Sequence, residues 1–246
     1  MRAILVRVAV DHSYGCWNAP VDPESGQFVY VPIPEKDGTP FLPGLAYGYE
    51  RIMPALSAFC QRFSRHSEDQ LGFPKALQKR HMHLDPDFEH LTYGDRGDRR
   101  GAGISEMTDG DLLVFYSGLC PIRPVKDKLI YALVGLYVVR EVVLARNVPH
   151  DLRDQNAHTR KRNIGEPDIV VRAKPGVSGR LEQCIPIGEW RDRAYRVRND
   201  LLKAWGGLSV RGGYIQRSAA PPTFHDAKRF YDWFRRQPVQ LVNRNN

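Results

Sequence analysis

The amino-acid sequence predicts an α+β protein: one domain with a mixed or antiparallel β core flanked by helices. Three observations carry that expectation. A β-branched run opens the chain, two longer apolar runs lie near its middle with a short loop between them, and segments with helical spacing stand before and after these runs. At 246 residues, 42% of them hydrophobic, the chain is long enough for a substantial core and short for two ample domains. Residues 1–246 are therefore expected to form one unit, β-rich and neutral to about residue 145 and basic from 146 onward.

The first strand is expected where Ala3, Leu5 and Arg7 alternate with Ile4, Val6 and Val8, because apolar side chains on both faces mark a strand covered on both sides. It stops at Asp11, and DHSYGCWNAPVDP follows as a loop at a strand end, a common place for chemistry. A short strand is expected at 28–32. Ile52, Leu56 and Phe59 share one face of a helix over 49–63, in which Pro54 must either lie in the first turn or produce a kink. The glycine-rich polar stretch 95–110 has the composition of a flexible loop or lid. DLLVFY at 111–116 and LIYALVGLYVVREVV at 129–143 should pair as central antiparallel strands across CPIRPVKDK. Beyond them, a strand at 168–172, a helix around 191–205 and a final helix over 224–236 complete the expectation.

Charge is unevenly placed. Lys and Arg number 36 against 28 Asp and Glu, for a net charge of +8. Residues 1–145 hold 16 basic and 18 acidic side chains, so the whole excess arises in the remaining 101 residues. Such a basic half suits a polyanion, because each phosphate neutralised releases condensed counterions. DNA is the expected partner, with no obligate protein partner. No apolar run is long enough to cross a bilayer, and Arg2 and Arg7 interrupt the amino-terminal one, so neither a membrane span nor a signal peptide is expected and a cytoplasmic location is. Cys16, Cys60, Cys120 and Cys184 form no CxxC pair and are expected to be isolated thiols.

Walker A, Rossmann, GxSxG, HExxH and zinc-deaminase patterns are absent, which removes the commonest nucleotide, hydrolase and metalloenzyme classes. What remains suits the gripping of a planar ring. Asp11 at a strand end can activate water or stabilise a developing cation, Tyr14 and Trp17 can stack on a base, and Asn18 offers a donor and an acceptor to a base edge. In HMHLDPDFEHLTYGD, His81, His83, Asp85 and Asp87 alternate, so a strand would place all four on one face, as a metal site requires. Pro86 stands where an HxHxDH run would need histidine. The expectation is instead a hydrogen-bonded loop bordering the site, with no metal and no cofactor. Asp85 and Asp87 are then reserve catalytic carboxylates, with Tyr93 and Asp95 beside them. In QNAHTRKR and GGYIQRS, Arg160, Lys161, Arg162, Arg217 and Ser218 suit phosphate contacts, while His158 and Gln216 suit a base or sugar.

Several of these segments share a family likeness. MRAILVRVAVDHSYGCWNAPVDPESGQFVYVPIPE, LDPDFEHLTYGD, GDLLVFYSGL, the NAHTR run at 156–160 and GYIQRS together resemble the third nucleotide-modification-associated domain family, from Met1 to about Ser218. GDLLVFYSGL followed by YALVGLYVV also looks like strands of EVE, ASCH and other PUA-like domains, an implication of a PUA-like barrel over about a quarter of the chain. The family resemblance implies a role with modified DNA bases, in phage hypermodification and bacterial defence. It leaves open whether the domain makes, reads or removes the modification.

Residue inventory favours removal. A base-making enzyme needs a cofactor or activated-donor site, and no glycine-rich nucleotide fingerprint is present. A monofunctional glycosylase needs a carboxylate, stacking aromatics and phosphate clamps. The expected function is excision of a bulky modified base, such as glucosylated hydroxymethylcytosine in phage DNA, leaving an abasic site. The alternatives are a non-enzymatic reader of modified bases and a base-modifying transferase.

Overall fold

Apolar side chains on both faces of the first strand require cover on both faces, and the fold supplies it. The computed structural model describes residues 1–12, 17–63, 71–98, 101–216 and 220–246. Along the chain lie β1 (Ala3–Arg7), β2 (Pro20–Val21), β3 (Ile33–Pro34), α1 (Met53–Phe63), α2 (Lys75–Gln78), β4 (Met82–His83), β5 (Thr92–Arg96), α3 (Ala102–Ser105), β6 (Leu112–Pro121) and β7 (Ile130–Leu144). They are followed by β8 (Asp168–Ala173), β9 (Gly179–Pro186), β10 (Gly188–Arg191), β11 (Ala194–Val197), α4 (Asn199–Trp205), α5 (Ala227–Phe234) and β12 (Leu241–Val242).

An eight-stranded mixed sheet runs in the order β1-β6-β7-β8-β5, with β2 on β6, β9 on β7 and β12 on β9. β1 joins β6 in parallel, and β6 pairs with β7 antiparallel from Leu112↔Val138 to Leu119↔Ile130. This is the single-domain α+β architecture with central antiparallel strands that the apolar runs predict. The sheet is open, and among the described residues it closes into no barrel.

The two faces carry separate cores. Ile4, Val6, Leu113 and Phe115 point to one, where α1 contributes Leu56 and Phe59. Ala3, Leu5, Leu112 and Val114 point to the other, covered by Leu201 and Trp205 of α4 and Phe230 and Phe234 of α5. Pro54 is the second residue of α1, where a missing N–H costs nothing. Asp226 caps α5, its carboxylate accepting from the Arg229 backbone N–H at 2.9 Å.

Four expectations change. Residues 28–31 are buried but make no strand; Phe28 forms only an isolated bridge to Val21. Within 95–110, α3 inserts a fully buried Ile104 into the core, and Met107 is buried beside it, so this part is anchored and is no lid. The helix expected from 191 begins only at Asn199. Residues 188–197 form a hairpin instead, turning at Asp192 and Arg193 with φ of 51° and 60°, left-handed positions that carry no glycine signal. Finally, β8, β9 and β12 of the basic half complete the sheet begun by the neutral half, so the charge boundary near 145 divides no structural layer. No helix among the described residues is long and apolar enough to cross a membrane.

Phe230 is fully buried and packs 5.4 Å from the Trp205 ring and 4.1 Å from Phe224, centroid to centroid. Phe230→Ala is expected to lower unfolding stability by about 3–5 kcal/mol in denaturant titration, through lost burial and the cavity left behind.

Candidate functional site

Two polar constellations stand at different places on the sheet. The first is a cleft of about 950 Å³ where β1 and β6 end, lined among others by His12, Trp17, Asn18, Cys120, Lys126, Lys128, Trp190 and Tyr195. Its volume falls at the upper end of small-molecule sites. The β10–β11 hairpin brings two aromatic side chains to it. Tyr195 stacks on Tyr131 of β7 at 4.4 Å and 19°, and Trp190 meets Tyr195 edge-on at 5.1 Å. Trp190 is 51% exposed, an indole presented to solvent at the edge of an aromatic wall.

Asp11 lies next to this wall. Its Oδ2 is 2.7 Å from an Arg7 guanidinium nitrogen, and Arg7 also donates to the Tyr131 hydroxyl at 3.3 Å and to the Gln216 carbonyl. The Gln216 side chain accepts from the Tyr195 backbone N–H at 3.1 Å, so Gln216 braces the wall from behind. Trp17 donates its indole N–H to the Leu71 carbonyl at 2.8 Å and packs edge-on against Phe73. Asn18 donates to the Gly118 carbonyl at 2.7 Å, which leaves its buried Oδ1 without a hydrogen-bond partner. The structure thus brings Asp11, Trp17, Asn18 and Gln216 to one region. Tyr14, Arg217 and Ser218 lie outside the described residues.

The second constellation is the polar core beside β5, separated from β1 by three strands in the sheet. Asp85 is buried; both its oxygens accept from the Gly94 N–H at 2.8 Å, and Oδ1 accepts from Asn156 at 3.4 Å. Burial pushes the Asp85 carboxyl well above its ordinary range, outweighing these donors. Its Oδ2 faces the Nε2 atoms of His83 at 3.7 Å and His158 at 3.8 Å. On their far sides, His83 Nδ1 lies 2.6 Å from Glu35 and His158 Nδ1 lies 3.2 Å from Asp168. Burial opposes ionisation of Glu35, yet the His83 contact and the nearby Lys161 hold its carboxyl down at about 2. Burial lowers the His158 imidazole, favouring its neutral form. Gly94 permits this packing: a Cβ there would sit 2.4 Å from His158 Cδ2 and 2.6 Å from Asn156 Oδ1.

Several expected roles change with these positions. β4 contains only Met82–His83, so His81, His83, Asp85 and Asp87 share no strand face; His81 is exposed and packs on Phe41. Asp87 is fully buried and bound by Arg160 at 2.7 Å, His90 at 3.0 Å and Asn245 at 3.2 Å. Although burial opposes it, the His90 hydrogen bond and the Arg160 charge hold the Asp87 carboxyl below its usual range. Arg160 itself is 2% exposed and also donates to the Asp154 carbonyl, so it fastens the 154–160 turn to the 87–90 loop and offers no surface to a phosphate. Lys161 is held 3.2 Å from Glu35, and only Arg162 of that run is exposed, donating to the Phe41 carbonyl. Tyr93 is buried with its hydroxyl on Asp95, and His158 is in the polar core, so neither faces the cleft.

The sequence reading missed Trp190 and Tyr195 in the cleft, Tyr131 behind them, and Glu35 and Asp168 around Asp85, and it set aside His83 together with the metal reading. The hairpin aromatics were hidden by the misassigned helix. Among the second group, only His83 stood in a conspicuous motif.

Fold and cleft together define an open-sheet α+β protein with an aromatic-walled pocket at a strand end. The chain belongs to the nucleotide modification associated domain 3 family, whose model matches residues 2–212, and this places it in the setting of modified nucleotides. No curated protein and no solved structure matches the chain.

Removing Arg160 leaves Asp87 a buried charge without its principal counter-ion. Arg160→Ala is therefore expected to cost about 3–5 kcal/mol in equilibrium unfolding; an effect below about 1 kcal/mol would show that His90 and Asn245 suffice.

Proposed function

We propose that the protein is a DNA glycosylase that flips a bulky modified base into the aromatic cleft and excises it, leaving an abasic site. The observation that carries this reading is the juxtaposition of the Asp11–Arg7 pair, the aromatic wall and the partnerless Asn18 Oδ1 around a cleft of about 950 Å³. A flipped base needs stacking surfaces and a reader of its edge, and Trp190, Trp17 and Asn18 are of the kinds required. Asn18 Oδ1 is suited to accept from an exocyclic amine such as cytosine N4. The volume leaves room for a base bearing a sugar, consistent with a glucosylated hydroxymethylcytosine of phage DNA and a role in anti-phage defence.

In this mechanism the C1′–N1 bond breaks, its electron pair leaves with the base, and the deoxyribose becomes oxocarbenium-like. Asp11 stabilises that cation and accepts a proton as water bonds to C1′. Arg7 holds the carboxylate in position. Lys126 and Lys128 on the cleft rim supply positive charge for the flanking phosphates, in place of the buried Arg160.

The Arg7–Asp11 contact also favours a second reading. A carboxylate already paired with a guanidinium can serve as a fixed acceptor in a reader that binds modified bases without cleaving them. Asp11→Asn separates the two. Incubated with DNA carrying glucosylated hydroxymethylcytosine, the wild type should release the modified base, detected by mass spectrometry with matching alkali-labile sites. Asp11→Asn should cut release by at least about 100-fold while retaining binding. Preferential binding of modified DNA by the wild type, with no base release, would overturn excision and leave the reader.

Trp190→Ala removes the exposed stacking surface. It is expected to weaken binding of modified DNA by roughly 5- to 150-fold, the equivalent of about 1–3 kcal/mol per stacked base. Fluorescence anisotropy checks this, and unchanged affinity would remove Trp190 from the site.

A further inference from the structure

The polar core beside β5 has a feature that the glycosylase reading does not use. His83 and Asp85 come from one segment of the chain and His158 from another, and one ligand atom from each lies within 4.8 Å of the other two. Glu35 accepts from His83 Nδ1–H, which leaves the Nε2 lone pair directed toward Asp85. Asp168 Oδ2 lies 3.2 Å from His158 Nδ1, an ion-pair neighbour outside hydrogen-bond geometry. The Nε2 atoms of both imidazoles and an Asp85 oxygen thus converge on one place in the polar core. Contacts of 3.7 and 3.8 Å are too long for hydrogen bonds, yet close enough for mutual repulsion.

A cation in the middle resolves that arrangement. Ligands about 2.0–2.2 Å from a tetrahedral ion lie roughly 3.3–3.5 Å apart; the two Asp85 contacts would shorten by a few tenths of an ångström, and the two histidine nitrogens, within 4.8 Å of each other, would close in the rest of the way. The surroundings match as well. Metal-bound histidines characteristically donate their other ring N–H to a carboxylate, which fixes the tautomer and raises basicity; His83 has such a partner in Glu35, and Asp168 stands 3.2 Å from His158 Nδ1. Gly94 and Asn156 orient Asp85 from behind through its own hydrogen bonds. Two imidazoles with one carboxylate select a borderline transition metal over magnesium or calcium.

We propose that His83 Nε2, Asp85 Oδ2 and His158 Nε2 form a binding site for one divalent transition-metal ion, with Glu35 and Asp168 as the carboxylates that position the two histidines. Three protein ligands leave at least one coordination position for water or another ligand. The His83 and His158 side chains are 15% and 10% exposed, so the site is shielded without being sealed.

The test reads metal binding alone, so its outcome is independent of base excision. Untagged protein is stripped with a chelator and titrated with Zn²⁺ against a chromophoric competitor, and bound metal is counted by elemental analysis. The wild type should bind one equivalent. His83→Ala and His158→Ala should each weaken binding by at least about 100-fold, and Asp168→Asn by about 10- to 100-fold. A wild type that takes up no stoichiometric metal, or histidine variants that keep wild-type affinity, would overturn the site. Should the variants fail to fold by circular dichroism, Co²⁺ bound to the wild type decides. Visible bands of nitrogen and oxygen ligation without thiolate charge transfer are expected, and a thiolate band would assign the metal to cysteine and overturn the proposal.

Discussion

The fifteen residues of β7 are the constraint on which the rest of the structure depends, because this one strand serves two partners along the same edge. Its first part pairs with β9, through Ala132↔Pro186 to Leu136↔Gly179, and its last part pairs with β8, through Val139↔Ala173 to Leu144↔Ile169. The partner changes between Leu136 and Val139. Gly135, beside that change, has no room for a side chain: a Cβ would meet Phe88 at 2.6 Å and the Gly179 carbonyl at 3.0 Å. Irregular registers on both sides show where the ladder yields. Tyr131 and the β10–β11 hairpin follow one branch to the cleft; β8 and β5 follow the other to the polar core. One forked strand thus sets two chemically different sites apart on a single sheet.

What was legible in the sequence follows from how each element is stabilised. β1, β6 and β7 are buried on both faces, so burial itself writes continuous apolar runs. β9, between β7 and β12, carries a buried Arg180 and the more exposed Glu182 and Gln183, which interrupt its apolar run. Its pattern is correspondingly faint. The 188–197 hairpin was hidden because Asp192 and Arg193 adopt left-handed conformations without the usual Asn-Gly or Gly signal. At the site, Asp11, Trp17 and Asn18 were visible because they are close in sequence. The convergence of Glu35, His83, His158 and Asp168 was not, since residues separated by more than a hundred positions meet only through the β8–β5 pairing and the turn that Arg160 fastens.

The basic charge of the second half illustrates the same limit. Arg160 and Arg180 are buried, and Arg160 belongs to an internal network with Asp87, so part of the excess that suggests a nucleic-acid surface is spent inside the molecule. Composition counts charges without knowing which of them face water. Lys126 and Lys128, from the half that is neutral overall, line the cleft instead. A local field at a binding site depends on such placements more than on the total.

The three carboxylates expected to compete for one role differ in their partners, and the partners assign them different work. Asp87 is surrounded by donors, Arg160, His90 and Asn245, that consume its acceptor capacity and make it a clamp. Asp11 is paired with the Arg7 guanidinium, which also reaches Tyr131 of the aromatic wall, so its counter-charge is supplied from within the fold. Asp85 faces two imidazoles whose other nitrogens lie beside carboxylates, so its Oδ2, which accepts from the Gly94 N–H, meets ring nitrogens beyond hydrogen-bond distance where Asp87 meets donors. A buried carboxylate in that setting is stable only with a proton or a metal ion to bind, whereas Asp11 has its counter-charge built in. That difference in compensation, more than proximity to any one loop, separates a group suited to act on a substrate from one suited to hold an ion.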